Sequence, residues 1–100
     1  MKRLKPADRH ALILDHARRL ASLHGYTKIS RESIATASGC SPGLVSAYFG
    51  TMVKMRRAIM GEAIRTRDLK IIGQGLACRD KRALGAPEEL RRLAVESLMG

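Results

Sequence analysis

Tryptophan and asparagine are absent from this sequence, and glutamine occurs once, at Gln74. Phe49, Tyr26 and Tyr48 are its only aromatic residues, too few for a platform on which single-stranded bases stack. Without asparagine, few positions apart from the nine glycines are expected to tolerate left-handed backbone. Cys40 and Cys78 are too few for a secreted disulfide scaffold. No apolar run approaches the ~18 residues a membrane span needs, and no signal-peptide pattern opens the chain, so a membrane partner is not expected. Acidic residues are scarce: nine stand against nineteen Lys and Arg, a formal charge of +10. That excess points to a polyanionic partner and says little about fold. One hundred residues leave room for one core of a few helices, and none for a barrel or a two-domain enzyme. The expectation is a single domain over residues 1–100, small, basic and cytoplasmic.

The positive charge is concentrated at the front, where residues 1–31 hold eight cations and two carboxylates. From Asp8 to His24, Ile13, Leu14, Ala17, Leu20 and Ala21 form one stripe of an amphipathic helix, and Gly25 stops it. Ser30 is a good N-cap for a second, short helix, with Glu32 in its first turn, where the helix dipole favours an anion. Ser41 caps a third helix to about Phe49, with Pro42 at the first position, where a missing N–H does no harm. Thr51 caps a fourth, with Met52, Met55, Ile59, Met60 and Ala63 on one face. It is expected to run to about Ile72, where Gly73-Gln74-Gly75 interrupts it. Two weaker helices follow, Leu76–Leu84 and Pro87–Met99, the second with Leu90, Leu93, Ala94 and Leu98 on its apolar side. Nothing alternates with period two. The fold class is all-α, a small helical bundle.

Arg31 to Phe49 has the layout of a helix-turn-helix, two short helices joined by a tight turn, the second free to enter a major groove. Counting from Arg31, the fifth position is Ala35, small where the helices approach. The ninth is Gly39, which suits a turn at positive φ. Ile34, Cys40 and Val45, at the fourth, tenth and fifteenth, would pin the unit to the core. The plainer alternative is a helical hairpin in an ordinary bundle.

Ile13 to Ile59 resembles the DNA-binding domain of TetR-type bacterial transcriptional regulators. Gly25-Tyr26, Ile34-Ala35, Gly39-Cys40-Ser41, Gly43 and Tyr48-Phe49 carry the resemblance. It implies a TetR-like DNA-binding region over residues 8–60 and a helical extension over 61–100 available for dimerisation. Three departures stand out. Ser46 occupies a place where the family usually has Tyr. Met52 stands where a phosphate-touching Lys is common, with Lys54 two residues on. The family usually carries a ligand-binding and dimerising domain after helix four, whereas only residues 73–100 follow Ile72. The expectation is therefore a minimal regulator, or a fragment of a longer one, without a small-molecule inducer.

By position in the resemblance, Thr27 and Lys28 meet phosphate ahead of helix two. Ser41, Pro42, Gly43, Leu44, Ser46 and Ala47 present the recognition helix, and Tyr48 reaches a phosphate through its hydroxyl. Arg31, Lys54 and the tail Lys2-Arg3-Leu4-Lys5 complete the set, the tail by way of an adjacent minor groove. No Arg, Lys, Asn or Gln lies between Ser41 and Gly50, so bidentate contacts to guanine or adenine are not open to that helix. Leu44 and Ala47 would press on thymine methyls, while shape and phosphate contacts carry much of the affinity.

The stretch Gly39-Cys40-Ser41-Pro42-Gly43 also fits the nucleophile elbow G-x-S-x-G, but that motif needs a strand before it and a large α/β sheet. Ser41 is better explained as a cap. His10, His16, His24 and the two cysteines lack zinc-ligand spacing, so neither metal nor cofactor is expected, nor catalysis. Met52, Met55, Met60 and Met99 read most simply as core filler, with a sticky interface for a partner helix as the alternative. The pairs Arg56-Arg57, Lys81-Arg82 and Arg91-Arg92 read as solvated helix faces. The reading is a bacterial or phage regulator that binds double-stranded DNA as a homodimer and represses by occupying its operator. The rival is a protein-interaction module whose Leu44–Ala47 face binds polymerase or another regulator.

Overall fold

The computed structural model describes residues 4–100. Among them the regular structure is entirely helical: α1 (Pro6–His24), α2 (Arg31–Ser38), α3 (Pro42–Phe49), α4 (Met52–Thr66), α5 (Leu69–Ala77), α6 (Lys81–Leu84) and α7 (Glu88–Met99). α1 starts two residues before the expected Asp8, with Pro6 in its first turn, where no N–H is missed. Its stripe is buried at Ile13, Ala17 and Ala21 against α2, α4 and α5. Ile34, Ala35, Val45, Phe49, Met55, Ile59 and Met60 complete this side of the core.

The expected boundary between the fourth and fifth helices is displaced. α4 ends at Thr66, and Arg67 follows in the left-handed region at φ 59°. The Arg67 N–H donates to the Ile64 carbonyl and the Asp68 N–H to that of Ala63, the paired bonds of a Schellman cap. Asp68 then caps α5, accepting from the Ile71 N–H, and its Oδ2 takes a hydrogen bond from Arg18 Nη1 at 2.8 Å. α5 ends the same way, with Arg79 at φ 60° and the Asp80 N–H donating to the Gly75 carbonyl. Glycine is thus not required at either helix end. An L-residue in this region costs ~1–2 kcal/mol, and the flanking packing outweighs that cost at both sites.

Gly73-Gln74-Gly75 does not break a helix but lies inside α5. A Cβ on Gly75 would sit 2.4 Å from Met60 Cε and 2.6 Å from Ala83 Cβ, and one on Gly73 would sit 3.0 Å from Leu98 Cγ. The two glycines let α4, α6 and α7 approach α5. The helix expected over Leu76–Leu84 is accordingly two pieces, the end of α5 and the short α6, which is capped by Asp80. α7 lies along α5 and buries Leu90 and Ala94 there, so part of its apolar stripe is used within the chain. Leu98 and Met99 remain exposed, so Met99 is not core filler.

Candidate nucleic-acid interface

Three caps build the helix-turn-helix. Ser30 Oγ accepts from the Ser33 N–H at 3.0 Å, and Ser33 Oγ accepts from the Ser30 N–H at 3.1 Å, a reciprocal capping box. Gly39 ends α2 at φ 69°, ψ 33°. Its N–H donates to the Thr36 carbonyl and that of Cys40 to the Ala35 carbonyl at 3.0 Å, another Schellman cap. A Cβ on Gly39 would meet nothing within 4 Å, so backbone strain alone, without a collision with α3, selects glycine there. Ser41 Oγ then accepts from the Leu44 N–H at 3.2 Å and starts α3.

Val45 and Phe49 anchor α3 inward, with Ile34 and Ala35 buried from α2. Cys40 is half-buried against the core. Ser41, Pro42, Gly43 and Ala47 are exposed, while Leu44, Ser46 and Tyr48 are half-buried. Tyr48 lies edge-on to His10 of α1, and the His10 ring rests against Phe49 with centroids 4.3 Å apart. The start of α1 is thereby held at the end of α3. Thr51 Oγ1 accepts from the Lys54 N–H at 3.2 Å, and the Lys54 stem lies along Gly50, where a Cβ would be 3.1 Å from its Cδ.

Thr27, Lys28 and Lys54 are exposed, and Arg31 is half-buried with its Nε buried and unpartnered. Among the described residues neither Lys28, Arg31 nor Lys54 joins an ion pair. Leu4 and Lys5 are exposed just before α1, whereas Lys2 and Arg3 lie outside the described residues. The arrangement is an uncharged protruding helix, bearing hydroxyl and small apolar groups, with free cations on the segments around it. Chemically it suits groove contact by shape and methyl packing, with phosphates held at the margins.

The residues that hold the α1–α2 loop were not foreseen from the sequence. The Tyr26 N–H donates to Gln74 Oε1 at 2.9 Å, and Gln74 Nε2 donates to the Ala21 carbonyl at 3.3 Å. The Tyr26 hydroxyl donates to Asp80 Oδ2 at 3.1 Å, and Cys78 Sγ lies 2.9 Å from the hydroxyl oxygen. Burial, then the Cys78 contact and the Asp80 carboxylate, pushes the Tyr26 phenol pKa well above its ordinary value. Nothing local in the sequence signals a clamp between partners about fifty residues apart.

A short helix ended by a left-handed glycine, followed by a capped and protruding second helix, defines a helix-turn-helix protein. Residues 13–59 match the family of bacterial regulatory proteins described as the tetR family. The helix-turn-helix region is thus similar to the DNA-binding domain of TetR-type transcriptional regulators. No curated protein and no solved structure matched the chain. Among the described residues no cluster of His, Cys, Asp or Glu could hold a metal ion, and no helix is long and apolar enough to cross a membrane.

Proposed function

We propose that this chain is a sequence-specific regulator that binds double-stranded DNA and represses transcription by occupying its operator, in a bacterial or phage-infected cytoplasm. The observation that carries the reading is the capped α2–Gly39–α3 unit inside the segment that matches the tetR family. In this reading residues 8–60 contact DNA and residues 61–100 brace them and pair two copies. Thr27, Lys28, Arg31, Lys54 and Tyr48 hold phosphates; Ser41, Pro42, Gly43, Leu44, Ser46 and Ala47 face the groove. Few base contacts are open to α3, so a lone copy binds weakly, and two-fold pairing on a palindromic site supplies the missing affinity. Val95, Leu98 and Met99 of α7, exposed at 44%, 56% and 84%, are the apolar surface available for that pairing.

Selection from a random duplex pool, followed by a salt titration on the recovered site, tests the function. The expected result is a palindromic consensus with half-sites about one helical turn apart or a multiple of it, and affinity that falls steeply with salt through counterion release. An unenriched pool, or binding indifferent to salt, would refute the reading.

A further inference from the structure

Four cations from two distant stretches of sequence converge on a cleft that the helix-turn-helix does not use. Its volume is about 390 Å³, and it opens between Thr27 of the α1–α2 loop, Arg56 and Arg57 of α4, and Asp80, Lys81 and Arg82 at the start of α6. None of these four cations joins an ion pair among the described residues, whereas Arg18, Arg19, Arg65, Arg67 and Arg92 all do. The one carboxylate present is already engaged. Asp80 Oδ1 accepts from the N–H groups of Arg82 and Ala83 at 2.9 and 3.1 Å, and its Oδ2 accepts from the Tyr26 hydroxyl.

The cations are also partly placed in advance. Arg82 Nη1 donates to the Arg57 carbonyl at 3.2 Å and lies 2.8 Å from where a Cβ on Gly61 would stand, so the guanidinium crosses α4 over a glycine. Arg56 Nε is buried without a partner. Four cations against one carboxylate leave three positive charges uncompensated at an open surface, a field that attracts an anion. Thr27, one of the residues proposed above to hold phosphate, also lines the cleft.

We propose that this cleft receives a backbone phosphate of the bound duplex, beyond the base pairs under α3, and makes α4 and α6 part of the DNA interface. The inference rests on the DNA-binding reading and extends its footprint.

The test uses the full chain and the double variant Arg57→Gln, Lys81→Gln. Both side chains are exposed and neither makes a hydrogen bond, so an unchanged thermal melt is expected. In duplex binding across salt, the slope of log K against log salt should flatten by ~0.9 for each phosphate that the variant no longer neutralises. Site preference should not change. Trimming base pairs from the outer flank should weaken the wild type and leave the variant unaffected. An unchanged slope with the same response to trimming overturns the proposal. If Ser46→Ala shifts the preferred site while the double variant binds like wild type, only the cleft proposal falls. If the wild type shows no salt-dependent duplex binding, the DNA reading falls with it. Pyrophosphate without DNA is the second probe: protection of the wild type but not the variant against heat, with an unchanged DNA slope, would mark a small-anion site and overturn the proposal.

Discussion

The backbone N–H of Tyr26 donates to the side-chain carbonyl of Gln74 at 2.9 Å, tying the loop ahead of the helix-turn-helix to the middle of α5. The same side-chain amide donates through its nitrogen to the Ala21 carbonyl at the end of α1. One side chain therefore supplies the partner of the Tyr26 N–H and adds a second bond to the Ala21 carbonyl, which also accepts from the Gly25 N–H at 2.8 Å. Gln74→Leu leaves the Tyr26 N–H without its partner, while the Ala21 carbonyl keeps its bond from the Gly25 N–H, and is expected to cost about 1–3 kcal/mol of stability, measured by urea unfolding. A wild-type midpoint would show that the clamp contributes nothing.

The Tyr26 phenol makes stability fall in alkali. Its pKa is raised in the folded chain, chiefly by burial, so the folded state holds the proton more tightly than the unfolded chain does. Its contribution is complete below the unfolded value of about 10 and is lost as pH rises above it. Unfolding midpoints between pH 8 and 11 should decline for the wild type. Tyr26→Phe should start lower and decline less steeply.

Gly75→Ala gains helix propensity of about 1 kcal/mol yet should destabilise the protein. Its Cβ would meet Met60 Cε at 2.4 Å and Ala83 Cβ at 2.6 Å, and overpacking of this kind costs about 1–3 kcal/mol. At Gly43 the nearest atom to a Cβ is 3.9 Å away, so Gly43→Ala should stabilise by up to about 1 kcal/mol. If Gly43→Ala also weakens DNA binding, the start of α3 approaches the duplex closely. Thermal melts and duplex titration of the two variants separate these effects.

Arg79→Gly and Arg67→Gly should raise the melting temperature or leave it unchanged. Each relieves an L-residue at φ near 60°, a strain of ~1–2 kcal/mol, offset in part by the greater freedom of glycine in the unfolded chain. A clear loss of stability in both variants would mean that the arginine side chains contribute more than the strain costs.

Positioning and readout should separate by mutation. Lys28→Ala and Tyr48→Phe are expected to weaken binding to all sequences alike, because phosphates carry no base identity. Leu44→Ala and Ser46→Ala should change site preference by about 1–3 kcal/mol at a contacted base pair. Pairing is checked with Val95→Glu, Met99→Glu rather than by truncation, since α7 also packs along α5. Sedimentation at micromolar concentration should show a dimer for the wild type and a monomer for this variant.

By itself the sequence determined the helices and the turn that make the helix-turn-helix. Ser30, Ser41 and Thr51 cap helices because a hydroxyl reaches an N–H three residues on, and Gly39 ends one because positive φ favours a residue without a Cβ. These effects act within a few residues, so they show in local order. Only the tertiary structure decided that Gly73 and Gly75 are points of close helix approach, that Arg67 and Arg79 end helices without glycine, and that Arg57 and Lys81 share a cleft. It also decided that Gln74 holds Tyr26. Each of these depends on what lies opposite a residue once distant segments meet. There, packing between helices outweighs local preferences worth about 1 kcal/mol each.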